Sequence, residues 1–167
     1  PNESTETWTD FLSGLRQRGL TDPRMIISDA HGGIVAAVGR VFPTLPWQRC
    51  QFHFAGNITA KAPAKYQAGL SSELTEMFNC RTIGEARKKR DQILSDYKDV
   101  AESAMLCLDE GFESVMTVMA LPAGLRRFCR TSNHIERLNR ELKRRSSVIG
   151  IFPNEESLVR TMGAVLI

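Results

Sequence analysis

Apolar positions recur along this chain with two different periods, and the change between them divides it. Trp8, Phe11, Leu12 and Leu15 fall at i, i+3, i+4 and i+7, the stripe of an amphipathic helix that Gly19 closes. Asp22-Pro23 forms a turn, and Met25-Ile26-Ile27 then reads as a short buried strand. The loop Ser28-Asp29-Ala30-His31-Gly32-Gly33 leads into a helix with Ile34, Val35, Val38, Val41 and Phe42 on one face. Pro43 and Pro46 bracket a turn before a second strand, Trp47 to Phe52. Beyond residue 53 only the helical period remains. Leu70, Leu74, Met77 and Phe78 form one stripe. Thr82 and Glu85 have capping-box spacing ahead of a helix presenting Ala86, Ile93, Leu94 and Tyr97. Two further stripes follow: Ala101, Ala104, Met105 and Leu108, then Phe112, Val115, Met116 and Met119. Pro122 and Gly124 interrupt the pattern. A basic helix is predicted from Thr131 to Arg145 with Ile135, Leu138 and Leu142 inward, and a last helix from about Asn154.

The pattern predicts two strands and about seven helices, a helix-dominated α/β chain. Strand–helix–strand order favours parallel pairing of the strands near 24–28 and 47–52. Two strands alone make a poor sheet, so either the protein is mostly helical or further strands lie outside this chain.

Composition adds limits. The chain has 167 residues, 42% hydrophobic and 25% charged, the balance of a soluble globular domain. No apolar run approaches the roughly 20 residues of a membrane span, and no secretory signal opens the sequence. Pro1-Asn2-Glu3-Ser4 reads as the interior of a longer chain, although expression trimming gives the same appearance. Cys50, Cys80, Cys107 and Cys129 match no disulfide framework and are expected to be reduced, in a cytosolic compartment. The net charge is only +3, but it is unevenly placed. Residues 124–145 hold Arg126, Arg127, Arg130, Arg137, Arg140, Lys143, Arg144 and Arg145 against two acids, so this window is +6 and the remainder −3. Such concentration points to a polyanion partner; a solvated helix face is the simpler alternative.

Four groups of residues are candidates for chemistry. Asp29 follows a buried strand and precedes His31-Gly32-Gly33, where open α/β sheets bind ligands. A carboxylate there suits Mg²⁺, which takes oxygen ligands; as an alternative, Asp29 caps the next helix. Glu136 lies in Thr131-Ser132-Asn133-His134-Ile135-Glu136-Arg137-Leu138-Asn139-Arg140, and its competing role is a capping box with Asn133. Cys50 and His53 form one Cys-x-x-His pair with no second pair to complete a zinc site. Arg87-Lys88-Lys89-Arg90 has the look of a solvated helix face more than of a DNA site.

Several segments in order resemble the Mutator-type transposases of bacterial insertion sequences. They are Trp8 to Leu20 (WTDFLSGLRQRGL), Met25 to Gly33 (MIISDAHGG), Phe42-Pro43, Trp47 to His53 (WQRCQFH), Asn57-Ile58, Thr131 to Arg145 (TSNHIERLNRELKRR), and Phe152-Pro153-Asn154 with Ser157-Leu158. The resemblance implies a partial RNase H-like core within residues 1–60, a helical insertion over 61–124 and C-terminal core helices over 125–167. It implies a DDE active site of two Asp and one Glu. Asp29 matches the second Asp, Glu136 the Glu, and Cys50 and His53 the family's Cys-x-x-His signature. His31, Asn133 and Asn139 are implied as supporting residues. The first Asp would lie upstream of Pro1, which would leave this chain inactive by itself. Gly56 stands where a basic residue is common, and His134 replaces a usual small residue. The implied cofactor is a pair of Mg²⁺ or Mn²⁺ ions, and the implied partner is DNA, both transposon ends and target. A homo-oligomer, cytoplasmic and nucleoid-associated without a membrane anchor, is also implied. A shared metal site requires Asp29 and Glu136 to converge across 107 residues. The alternatives are a related nuclease, a domesticated or catalytically dead DNA-binding relic, and a helical regulator without nucleic acid.

Overall fold

A computed structural model describes residues 3–166; Pro1 and Asn2 lie outside them, as does Ile167. The chain forms two compact units, residues 1–131 and 132–167.

The first unit opens with α1 (Thr5–Gln17), whose Ser4 hydroxyl accepts from the Thr7 amide as an N-cap. β1 (Ile26–Ser28), α2 (Gly32–Val41) and β2 (Trp47–Arg49) form the expected parallel unit. Ile26 pairs with Trp47, Ile27 with Gln48 and Ser28 with Arg49. Leu12 of α1 and Ala37, Val38 and Val41 of α2 are buried with Phe42, and Trp8, Ile26 and Trp47 pack on them. Arg16 ties the two helices by donating 2.9 Å to the Val41 carbonyl at the end of α2, where a cation also meets the negative helix terminus.

The second strand is shorter than its sequence suggests. Cys50 N–H donates to the Ser28 carbonyl at 2.7 Å as the last rung, and α3 (Gln51–Ala60) begins at once. Gln51, Phe54 and Ile58 are its buried residues, at i, i+3 and i+7. That helical stripe outweighs the extended reading of residues 50–52. Cys50 is therefore an N-cap and His53 a first-turn residue, not the end of a strand.

The helical remainder comprises α4 (Ala64–Phe78), α5 (Ile83–Tyr97) and α6 (Glu102–Val115), a 3-10 turn at Thr117–Ala120 and the four-residue α7 (Ala123–Arg126). The Thr82–Glu85 capping box forms as predicted. The two stripes expected over 101–119 are one helix followed by the 3-10 turn. Phe54, Ile58, Leu70, Leu74, Met77, Ile93, Leu108 and Phe112 are the heart of a second core. The basic run on α5 is largely committed to acids: Arg87 pairs with Glu113, Lys89 with Glu76 at 2.8 Å, and Arg90 with Asp91 at 2.7 Å.

Two buried polar side chains join the strand pair to this helical part. Gln48 is fully buried. Its Nε2 donates to the carbonyls of Arg49 and Val115, both at 2.7 Å, and its Oε1 accepts from the Val118 amide. Gln51 Nε2 adds a 3.2 Å bond to the Val115 carbonyl. Close by, the Phe54 ring and the Arg49 guanidinium cross α6 at Gly111, with the guanidinium 4.5 Å from the ring centroid. A Cβ on Gly111 would collide with the Phe54 ring and come within 2.8 Å of Arg49 Nη1.

The second unit contains α8 (Asn133–Ile149) and α9 (Glu155–Leu166). Asn154 Oδ1 accepts from Ser157 N–H at 2.9 Å and so starts α9. The predicted inward face of α8 is only partly realised. Leu138 and Leu142 are half-buried, whereas Ile135 is 59% exposed and no described α8 residue is fully buried. Within this unit a single neighbouring helix has too little surface to cover an apolar face.

Gly111→Ala is expected to destabilise the protein by about 1–3 kcal/mol, because the buried Phe54 ring cannot yield to a methyl group without strain. Gly56→Ala, in α3 with open space around its Cα, is expected to stabilise by roughly 0.5–1 kcal/mol. Urea melts of the two variants check the opposite signs.

Candidate active site

The carboxyl end of the parallel pair is organised from the backbone outward. Ser28 ends β1, and its hydroxyl accepts from Trp47 Nε1 at 2.9 Å while donating to the Asp29 carbonyl at 2.7 Å. Indole, hydroxyl and peptide thus form a short chain that fixes the backbone on which Asp29 stands. The Asp29 side chain itself is exposed. It accepts a long hydrogen bond from the His31 amide, 3.3 Å to Oδ1. Asp29 is not the N-cap of α2; His31 holds that position and makes no side-chain cap bond.

Helices α2 and α3 both start at this edge, because each follows directly on its strand. Neither start has a side-chain cap hydrogen bond or an acidic residue in its first turn. Their dipoles therefore present positive ends beside Asp29 and His31 after the first strand and Cys50 and His53 after the second. Cys50 is fully buried, and the four cysteines form no disulfide. The glycines after His31 differ in role. Gly32 has open space, while a Cβ on Gly33 would lie 2.7 Å from the Glu3 carbonyl.

Glu136 belongs to the second unit. Ser132, not Asn133, is the N-cap residue of α8, and the Asn133–Glu136 capping box does not form. Instead Ser132 Oγ donates to Glu136 Oε1 at 2.6 Å, and the Ser132 carbonyl accepts from Glu136 N–H at 3.1 Å. Asn133 is half-buried at the start of the helix and Asn139 is exposed.

The eight basic candidates separate by surroundings. Arg137, Arg140, Lys143, Arg144 and Arg145 are exposed on α8. Arg137, Arg140 and Arg144 line a shallow surface groove together with His134, Leu138 and Glu141. Glu141 accepts from Arg144 at 2.8 Å and from Arg145 at 2.8 Å. Arg127 is exposed and lies 4.5 Å over the Phe128 ring. Arg126 and Arg130 are half-buried. Arg126 donates to the carbonyls of Leu121 and Arg81 at 2.8 and 2.9 Å, and Arg130 donates to Asn79 Oδ1 at 2.7 Å.

The donor chemistry at the strand edge suits a hard divalent ion at Asp29, an exposed carboxylate lightly held by one long hydrogen bond. Among the described residues no group of three or more His, Cys, Asp or Glu side chains is placed to hold a metal ion. Gln48 and Gln51 are the residues that sequence reasoning overlooked. The stripe Gln51–Phe54–Ile58 was the available signal; nothing in the local pattern marked Gln48.

These features define a helix-dominated α/β protein with an acid at the carboxyl end of a parallel strand and a basic helix near its C-terminus. Residues 1–167 match the family described as Transposase, Mutator family, and the chain belongs to that family. It is 39% identical over 166 residues to the transposase for insertion sequence element IS256 in transposon Tn4001 of Staphylococcus aureus, covering 98% of this chain and 42% of that protein. It is 34% identical over 165 residues to the transposase for ISRM5 of Rhizobium meliloti, covering 99% of this chain and 42% of that one. The transposase for IS1081 of Mycobacterium tuberculosis is 34% identical over 159 residues, 95% of this chain and 38% of that protein. The chain thus spans about two fifths of the length of these relatives. No described helix is long and apolar enough to cross a membrane.

Glu141 is expected to titrate at about 2, held down first by the hydrogen bonds from Arg144 and Arg145 and opposed by slight desolvation. The folded value lies below the ordinary one of 4.5. Its contribution to helix stability is therefore full above that ordinary value and fades as pH falls through about 2. A carboxyl-carbon NMR titration of Glu141 checks this. A midpoint at the ordinary value would show that the two arginines do not hold it.

Proposed function

We propose that this chain supplies two of the three acids of a DDE-type DNA transposase built on an RNase H-like core. The observation that carries the reading is Asp29: an exposed carboxylate at the carboxyl end of a parallel strand, on a backbone pinned by Ser28 and Trp47. Family membership supports transposition as its reaction. In transposition, water and then a DNA 3′-hydroxyl attack a phosphodiester in line. Divalent ions, Mg²⁺ or Mn²⁺, when bound would lower the cost of forming the nucleophile and of the charge on the departing oxygen. Asp29 and Glu136 are the residues that would hold them, and the reading requires both carboxylates to reach one metal site.

The chain's other groups act on the substrate. The open starts of α2 and α3 favour an anionic phosphate at the strand edge. The exposed bases of α8, five against two acids in Asn133–Ile149, would hold the DNA backbone without reading its sequence. The paired guanidiniums of Arg144 and Arg145 would exchange Glu141 for phosphate. His31, Cys50, His53, Asn133 and Asn139 would support the acids. The active assembly would be a homo-oligomer on two transposon ends, working in the cytoplasm at the nucleoid.

Two measurements test the proposal. The purified chain should bind duplex DNA without sequence preference, log K falling with log salt by about 0.9 per phosphate contact. Glu141→Gln should tighten binding and steepen that slope, since it frees two guanidiniums. In the complete protein, Asp29→Asn and Glu136→Gln should each abolish metal-dependent cleavage at a transposon end while leaving DNA affinity close to native. Cleavage that survives either change removes that acid from the site. DNA binding with no cleavage by the unsubstituted protein would favour a binding module that has lost its chemistry.

A further inference from the structure

The positive stretch before α8 contains one arginine whose surroundings suit another task. Arg130 lies next to last in the first unit, and α8 with Glu136 in its first turn follows from Ser132. Both its backbone and its side chain are tied down within the first unit. Its carbonyl accepts from the Gln51 amide at 2.9 Å. Its Nη1 donates to Asn79 Oδ1 at 2.7 Å. Its Nε is buried, with no hydrogen-bond partner among the described residues.

The partners of Arg130 are themselves fixed. Asn79 is the C-cap of α4, its amide bonded to the carbonyls of Thr75 and Glu76. Gln51 is the first residue of α3, its side chain on the Val115 carbonyl at the end of α6. It directly follows Cys50, whose amide makes the last rung onto Ser28, the neighbour of Asp29. The chain therefore returns from the helical part to the edge that bears Asp29 and is held there, three residues before α8 begins. An exposed DNA-contacting arginine needs its guanidinium free to meet phosphate; this one is half-buried and engaged.

We propose that Arg130, held by Asn79, is a positioning residue: it fixes the point from which the Glu136 helix departs, and it does not contact DNA. The role of Glu136 here rests on the catalytic reading above, but the anchor does not. Arginine suits the task because its planar fork gives directed bonds and its charge is permanent. Asn79 is an exposed residue, so replacing it tests the anchor without opening the core.

The first test uses the chain alone. Trypsin acts after arginine, and the anchored Arg130–Thr131 bond should resist it. Asn79→Ala should speed cleavage after Arg130, identified by fragment mass, by about tenfold or more, the effect of losing roughly 1.4 kcal/mol of local protection. The thermal midpoint should stay near native, and Asn79→Asp should restore resistance by offering the guanidinium an acceptor again. Equal cleavage in native and Asn79→Ala chains would overturn the anchor.

The second test uses the complete protein. Asn79→Ala and Arg130→Lys should each slow metal-dependent end cleavage by about 10–100-fold, the usual cost of losing a group that orients a ligand. DNA affinity and its salt slope should not move, and Asn79→Asp should recover the rate. If Arg130 were instead a phosphate contact, Arg130→Gln would flatten the slope by about 0.9 while Asn79→Ala changed nothing; that result overturns the proposal. Native cleavage rates in a proteolytically released Asn79→Ala protein would overturn the positioning role while leaving the anchor. If Glu136→Gln also left cleavage unchanged, the failure would belong to the catalytic reading.

Discussion

The side-chain amide of Gln48 is the interaction on which the rest of the first unit depends. A two-stranded sheet has little stability of its own, and this one survives because its second strand is bonded into a helical body. Gln48 does this at a point where α6 ends and a 3-10 turn begins, which leaves carbonyls and amides without helical partners. One amide group answers both kinds of demand, donating to Val115 and accepting from Val118. Because the side chain is fully buried, losing it would strand those backbone groups away from water, and a polar group so stranded costs more than an average hydrogen bond contributes.

From that attachment the strand edge acquires its properties. The sheet is short, so β1 and β2 end together and the helices that follow them start together. A carboxylate thus stands beside two helix starts without being consumed as the cap of either. The charge elsewhere is arranged in a complementary way. On α5 the basic run is answered by Glu113, Glu76 and Asp91, so the helical part between the strand pair and α8 is nearly self-neutralising. The exposed positive charge that remains is concentrated on α8, where Glu141 alone is shared between two arginines.

Much of this was legible in the sequence because most of the burial is periodic. The stripe Leu70, Leu74, Met77 and Phe78, the Thr82–Glu85 box and the two parallel strands all follow from local spacing. Residues 50–52 did not, because three residues ahead of a histidine can satisfy either period, and the helix is decided by Phe54 and Ile58 further on. Gln48 was invisible because its worth comes from groups nearly seventy positions away. Ile135 was placed on the wrong side of exposure for a similar reason: periodicity says which residues share a face, not how much protein is present to cover it. Among the site residues, Asp29 was legible from its place after a strand. The division of the arginines into exposed and anchored was not, since it turns on partners such as Arg81 for Arg126 and Asn79 for Arg130 that are distant in sequence.

Gly33 is where the segment leading into α1 meets the first turn of α2. Because it lacks a side chain, the backbone at Glu3 rests directly against the first turn of α2, four residues from Asp29. No side chain at position 33 stands between the two segments. The beginning of the described chain therefore lies against the helix that follows the acid-bearing loop. A bulkier residue at position 33 would act as a wedge against the Glu3 carbonyl, displacing the segment that leads into α1 before it ever touched a ligand.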